Sequence, residues 1–343
     1  MTGPAGTAAT KVAVLGGGAW GTALGCHLAG AAGAQVRLWV HDEALARTMG
    51  AQRENPAYLP GFALPGDLQV TPSLTEALDG AAVVVLAIPS HFCREILEGA
   101  RQSLKSDPLI VVASKGIENG SLRRVSEIVG EVLGPSGGRH VVVLSGPSFA
   151  KEVAAGRPTA IVAASSDPAL ARSTQTLFSR DHLRIYTSVD SIGVEMGGAL
   201  KNVIAIAAGV VEGLGLGANT LAALITRGLA EISRLSVGAG GRRETLAGLA
   251  GLGDLVLTCT GALSRNRQLG IELARGRRLP EIVAGTKTVA EGVRTARSAL
   301  DLGRKAAVPM PIIEKVNEVL YEGRAPETAI RELLGRPPRP EED

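Results

Sequence analysis

The sequence predicts an α/β fold, with a doubly wound, mainly parallel sheet in the first part of the chain and an all-helical domain in the second. Three observations carry this. An apolar run, Lys11 to Leu15, enters a glycine turn and leaves along small helix-forming residues. Short β-branched apolar runs then recur, with helix-like stretches between most of them. From about Asp190 those runs stop, and segments rich in Ala, Leu, Gly and Glu continue with helical spacing. At roughly 150 residues per domain, 343 residues suggest two domains. Their expected extents are 11–189 and 190–335.

The opening element is KVAVLGGGAWGTALGCHLAG. Gly16 suits the angles of a tight turn, Gly18 lets the main chain approach a phosphate, and Gly21 allows close packing of helix on strand. With 44 glycines, chance alone yields on the order of one GxGxxG match. Context therefore decides. The match follows a strand-like run and opens a helix, whereas Gly213 to Ala218, GLGLGA, follows a helix-like segment and is expected to be a loop. A second β-like run, Gln35 to Val40, ends at His41 and Asp42, where an acidic residue would meet an adenosine ribose. This is the pattern of a dinucleotide-binding Rossmann domain.

Further strands are expected at Val83 to Ile88, Leu109 to Ala113, Val141 to Leu144, Ala160 to Ala164 and Leu183 to Thr187. Ligands gather at strand C-terminal ends in such sheets. Three ends carry AIPSHF, ASKGIE and LSGPSFAKE. Pro89, Pro147 and Ser148 suit either a strand-ending turn or a ligand contact. Lys115 sits between Ser114 and Gly116 at such an exit, a cation aimed at the crevice or a solvated surface lysine.

Composition narrows the function. Hydrophobic residues at 45% and charged residues at 20% describe an ordered soluble protein. The balance of 36 Lys and Arg against 33 Asp and Glu, a net charge of +3, is too even for a protein devoted to nucleic acid, so an anionic partner should be small. Cys26, Cys93 and Cys259 form no CxxC pair and have no histidines at ligand spacing, so neither a disulfide framework nor a metal site is indicated. The start, MTGPAGTAAT, lacks signal-peptide character, and no apolar run reaches about 18 residues without a charge. A cytoplasmic location without membrane insertion is expected. The tail RPPRPEED is expected to fray.

In the helical part, VEMGGALKNVIAIAAGVVEG puts Leu200, Ile204, Ala207 and Val211 on one helical face. A second helix is expected to open at Asn219 or Thr220, either a suitable N-cap. Between Gly197 and Val211 the polar side chains are Lys201 and Asn202. Burial lowers a lysine's pKa, which suits general acid and base work near pH 7; the alternative is a lysine that snorkels to water. Gly197 and Gly198 favour close approach of a backbone or a ligand.

Further on, Asp254 lies in an apolar, glycine-rich context as either a functional carboxylate or a helix cap. Ser264, Arg265 and Asn266 together offer the directional donors of a phosphate clamp, although Arg265 and Arg267 also suit a solvated surface. Glu291 and Arg294, three apart, are accounted for by a helix-surface ion pair. Exposed apolar faces in this part would suit a homodimer.

Taken in order, GGGAWGTAL, NPAYLPG, ASKGIE, LSGPSFAKEV, GVEMGGALKNVIAIAAG, GLGDLVLTCT, SRN and VAEGVRT resemble the bacterial NAD(P)-dependent glycerol-3-phosphate dehydrogenase family, from Val12 to about Leu334. The resemblance implies interconversion of dihydroxyacetone phosphate and sn-glycerol 3-phosphate with NADH or NADPH, supplying glycerophospholipid synthesis. It implies Lys201 as the proton acceptor in oxidation and donor in reduction. Lys115, Gly146, Ser148, Asp254, Ser264, Arg265 and Asn266 would surround the substrate. Ala19, Trp20, His41, Tyr58, Lys115, Ala150, Arg265, Val289 and Glu291 would touch the cofactor. No metal is required.

Two positions depart from the family. Ala19 replaces a common serine but keeps the backbone amide that could bind phosphate. Asp42 stands where many members have arginine, and a carboxylate there repels a ribose 2′-phosphate, so the expected preference leans to NAD. Rival readings are a related hydroxy-acid dehydrogenase and a non-catalytic dinucleotide-sensing protein.

Overall fold

The apolar runs become strands. A computed structural model describes residues 9–31, 33–104, 107–180, 182–284, 290–338 and 340–341. In chain order its strands are β1 (Thr10–Leu15), β2 (Ala34–Trp39), β3 (Glu54–Asn55), β4 (Leu59–Ala63), β5 (Gln69–Thr71), β6 (Val83–Leu86), β7 (Leu109–Val112), β8 (Val141–Ser145), β9 (Thr159–Ala164) and β10 (Leu183–Ser188). The helices among them are α1 (Ala19–Ala29), α2 (Glu43–Gln52), α3 (Leu74–Leu78), α4 (Cys93–Ala100), α5 (Val125–Arg139), α6 (Ala150–Ala154) and α7 (Pro168–Phe178). Beyond them lie α8 (Ser191–Gly213), α9 (Gly217–Gly238), α10 (Arg243–Leu246), α11 (Asp254–Thr260), α12 (Arg265–Ala274), α13 (Leu279–Ala284), α14 (Glu291–Lys305), α15 (Pro311–Tyr321) and α16 (Pro326–Leu334).

Among the described residues, eight strands form one sheet in the order β10-β9-β8-β7-β6-β1-β2-β5. All neighbours run parallel except β8 and β9, so β9 and β10 oppose the rest. The expected mainly parallel sheet and helical second part are both present. Strand β1 lies between β2 and β6, the point at which chain order reverses and where such sheets bind ligands. Its Val12 and Val14 join Leu24 and Leu28 of α1 and Phe178 of α7 in a buried core. Strand β5 and the antiparallel β3–β4 hairpin were not among the expected strands. Each is short, and β4 contains Pro60 and Gly61, which blur an alternating pattern.

Close contacts divide the chain into two compact units. One runs to Lys115 and resumes over Arg123–Val194; the other takes Gly116–Leu122 and everything from Glu195. The Gly116–Leu122 segment is tied into the helical unit by the Ser298 hydroxyl, which donates to the Ile117 carbonyl at 3.1 Å.

Helix α8 is the axis of the helical unit. By length and composition it could cross a membrane, but 94% of its most apolar window is buried inside the protein. Of the expected face, Leu200, Ile204 and Val211 are buried and Ala207 is half-buried; Val203, Ala205 and Ile206 are buried as well, as in a helix surrounded by others. Neighbours approach through glycine. A Cβ on Gly197 would stand 2.5 Å from the Ala250 carbonyl oxygen, and one on Gly228 of α9 would stand 2.7 Å from Ile204. On α12, a Cβ at Gly270 would overlap the Ile206 carbonyl.

Helix α9 opens at Gly217, not at Asn219 or Thr220. Gly215 and Gly217 both take positive φ and turn the chain in three residues after α8, so Thr220 is already helical and bonds back to Leu216. Within α9, Glu231 is buried and accepts the Ile312 and Ile313 N–H groups at 2.8 and 3.3 Å, capping α15. Burial pushes its carboxyl up to about 7.

Candidate active site

In the sheet unit, the glycine turn leaves β1 through Gly16, whose φ is +126°. A Cβ there would stand 2.5 Å from the Ala87 carbonyl oxygen. One on Gly21 would overlap the Gly16 carbonyl, so α1 can close on the turn only with glycine at that position. At Gly18 a Cβ would meet nothing within 4 Å, which makes this the open side of the turn.

The start of α1 differs from those of α2, α3 and α7. Asp42 caps α2 by accepting Leu45 N–H, Ser73 caps α3 through Glu76 N–H, and Asp167 caps α7 through Ala169 N–H. Helix α1 has Gly18 as N-cap, no side-chain cap and no acid in its first turn. Its own first turn thus supplies no competing carboxylate, and Trp20 adds a buried Nε1 with no hydrogen-bond partner among the described residues. Together these features fit a pyrophosphate.

Beyond β2, His41 and Asp42 are exposed, and the Trp39 ring meets His41 edge-on at 5.6 Å. Asp42 therefore has a structural task as a cap as well as the expected one at a ribose. Tyr58 is half-buried and its N–H donates to Asn55 Oδ1. At the rim, Lys115 is half-buried, and its Nζ donates to the carbonyl of Gly146 at 3.3 Å. The Ser148 hydroxyl donates to the same carbonyl at 3.0 Å. Ala150 opens the short helix α6. Val289 lies outside the described residues.

In the helical unit Lys201 is 6% exposed and its ammonium pairs with the Asp254 carboxylate, which is fully buried. Two alternatives close and one expectation changes. Lys201 does not reach out to water, and its surroundings are not purely apolar, because tertiary packing brings an anion that neighbouring sequence does not show. Asp254 does not cap its helix; the N-cap is Gly253 and the carboxylate is spent on Lys201. A π-helical turn, Leu249–Gly253, delivers it and seats Ala250 against Gly197, one helical turn before Lys201 on α8. The Gly197 contact is therefore with backbone.

Ser264 is the N-cap of α12 and accepts the Arg267 N–H at 3.2 Å. Arg267 pairs with Glu212, whereas Arg265, the first residue of α12, is exposed. Asn266 is buried, donating from Nδ2 to Asn202 Oδ1 at 3.0 Å and accepting Gly292 N–H at 3.0 Å. Glu291 starts α14 immediately before that glycine. Asn202 and the π-helical turn were not assigned to the site from sequence; the pairing of two polar side chains in apolar helices was the available signal for Asn202.

Cys259 lies near Lys201 on α11, but burial pushes its thiol up to about 12, which rules against a thiolate nucleophile. Among the described residues no cluster of three or more His, Cys, Asp and Glu side chains could hold a metal.

Residues 11–171 match the family described as NAD-dependent glycerol-3-phosphate dehydrogenase N-terminus, and residues 190–331 match the corresponding C-terminus. A glycerol-3-phosphate dehydrogenase (NAD(P)+) of Koribacter versatilis is 51% identical over 329 residues, 96% of this chain and 98% of that protein. A crystal structure of glycerol-3-phosphate dehydrogenase from Coxiella burnetii is 38% identical, with a TM-score of 0.91 over 96% of this chain and 100% of that one. The glycerol-3-phosphate dehydrogenase structure from Saccharomyces cerevisiae is 27% identical, with a TM-score of 0.80 over 96% of this chain and 100% of that one. With both halves matched in order, the chain belongs to the NAD-dependent glycerol-3-phosphate dehydrogenase family.

Proposed function

We propose that this protein interconverts dihydroxyacetone phosphate and sn-glycerol 3-phosphate with NADH or NADPH. The observation that carries the reading is the 3.0 Å bond between Asn266 and Asn202. It joins the immediate neighbours of Arg265 and Lys201, so a buried ammonium and the N-terminus of α12 flank one hydrogen bond. A phosphorylated triose carries a carbonyl oxygen for the ammonium and a phosphate for those donors.

Gly16, Gly18, Ala19, Trp20 and Gly21 would hold the pyrophosphate, with His41, Asp42 and Tyr58 toward the adenosine. Lys115, Ala150, Arg265, Val289 and Glu291 complete the cofactor set that family membership implies. When bound, the reduced nicotinamide supplies a hydride to C2 of the ketone.

In reduction, Lys201 Nζ gives a proton to the C2 oxygen, and in oxidation it takes one back. Asp254 compensates the ammonium and fixes its position before substrate arrives. Arg265 binds the phosphate, aided by the first N–H groups of α12. The Ser264 hydroxyl accepts from Arg267 and retains its own hydrogen to donate, and Asn266 retains a second amide hydrogen. Lys115, Gly146 and Ser148 form the substrate group of the sheet unit in this reading.

Asp42 favours NAD, because its charge opposes a 2′-phosphate. A reducing cytoplasm suits three free cysteines. Exposed Leu216, Val237, Leu252, Val256 and Leu263 support a homodimer. The activity is tested by following reduced-nicotinamide absorbance with dihydroxyacetone phosphate against a panel of keto acids. Oxidation with the triose phosphate alone is the expected result; oxidation with a keto acid and none with the triose phosphate overturns the reading.

A further inference from the structure

We infer that Asn55 is a positioning residue for dinucleotide binding, locking the peptide between Gly17 and Gly18 so that its N–H faces the open side of the turn. The inference rests on the dinucleotide reading above. Asn55, at the end of β3, is fully buried, and its carboxamide is engaged on both sides. Nδ2 donates to the Gly17 carbonyl and to the Thr22 hydroxyl, each at 2.8 Å. Oδ1 accepts the Tyr58 N–H at 3.1 Å.

The geometry assigns the consequence. The chain contains no cis peptide among the described residues, and in a planar trans peptide the C=O and N–H point in opposite directions. Holding the Gly17 carbonyl on the Asn55 side therefore turns the Gly18 N–H the other way. Gly18 is the glycine whose missing Cβ opens on empty space, and it is the N-cap that α1 leaves without a side-chain acceptor. Glycines on both sides of this peptide give it little intrinsic preference, so the orientation needs an outside hold. Thr22, buried in the first turns of α1, receives the second amide hydrogen and keeps the carboxamide from rotating. Through Tyr58 the same side chain fixes a residue expected at the adenosine.

Gly17 cannot take a side chain without displacing Val40, since a Cβ would stand 2.7 Å from it. The turn is thus braced by both Val40 and Asn55. Asn55 needs no contact with the ligand to affect its affinity. It acts on an amide that contacts it.

The test compares Asn55→Asp and Thr22→Val with the wild-type protein. Asn55→Asp keeps the acceptor for Tyr58 but removes both donors; Thr22→Val removes only the hydroxyl that restrains the carboxamide. NADH dissociation constants are read from nicotinamide fluorescence, with apparent melting temperature and steady-state kinetics alongside. Asn55→Asp should weaken NADH about tenfold or more, and Thr22→Val about threefold to tenfold, each with kcat at saturating NADH within about twofold. A purely structural role lowers the melting temperature and leaves NADH affinity unchanged. NADH affinity within about twofold of wild type in Thr22→Val overturns the inference, whether Asn55→Asp folds with normal affinity or does not fold. A wild-type protein that binds no NADH overturns the dinucleotide reading instead.

Discussion

Lys201 of α8 and Asp254 of α11 meet as a buried ion pair across 53 positions of sequence. Removing one partner strands the other charge in the interior, at a cost of about 3–5 kcal/mol, whereas replacing both by apolar residues is often close to neutral. Stability and catalysis should therefore separate here. Lys201→Ala is expected to lower turnover by about two to four decades and to destabilise the fold. Lys201→Met with Asp254→Leu should recover much of the stability and none of the turnover. Urea unfolding and initial rates on both proteins check this, and substantial turnover in either variant removes Lys201 from proton transfer.

Arg265 and Ser264 are adjacent but should fail in different ways. Arg265 is exposed, so Arg265→Ala should change stability by less than about 0.5 kcal/mol while raising KM for the phosphorylated substrate at least about tenfold. Ser264 caps α12, so Ser264→Ala should cost about 1 kcal/mol in addition to any effect on KM. An unchanged KM in Arg265→Ala moves the phosphate elsewhere.

Legibility followed locality. Gly16, Gly18 and Gly21 could be assigned from sequence because their tasks are set by backbone sterics within six residues. Lys201 stood out for the same reason, a charge inside an apolar run. Its counter-charge did not, since nothing around Asp254 in sequence distinguishes a partner for Lys201 from a helix cap. Ser264 and Asn266 were legible as hydrogen-bonding types, but their present partners are a backbone N–H in α12 and side chain and backbone groups of α8 and α14. Asn55 opens the NPAYLPG motif, but its role was not legible, because the groups it holds are mostly main chain. The three-residue strand β5 is too short to show a period.

Glu231 makes stability depend on pH. Its carboxyl rises from an ordinary value near 4.5 to about 7, chiefly through burial, against the pull of the Ile312 and Ile313 N–H groups and the charges of Arg234 and Arg336. The folded protein thus holds this proton more tightly than the unfolded chain. The resulting stabilisation is complete below about 4.5 and is lost as pH rises through about 7. Unfolding free energies of the wild type minus those of Glu231→Gln should therefore fall with rising pH across that window. A flat difference assigns Glu231 an ordinary carboxyl, and a rising one a carboxyl that the fold holds below its ordinary value; either overturns the prediction.

Asp42 combines two tasks that can be pulled apart. Its carboxylate caps α2 through Leu45 N–H, and its charge is proposed to oppose a ribose 2′-phosphate. Asn and Ser are also good caps, so Asp42→Asn and Asp42→Ser remove the charge while costing α2 no more than about 0.5 kcal/mol. If the charge sets the preference, kcat/KM with NADPH relative to NADH should rise about tenfold in both variants, through the KM of NADPH. Raising ionic strength should narrow the difference between wild type and variants, because the carboxylate is exposed and its repulsion is screened. An unaltered NADPH to NADH ratio in both variants would leave Asp42 as a helix cap alone and put the discrimination in another residue.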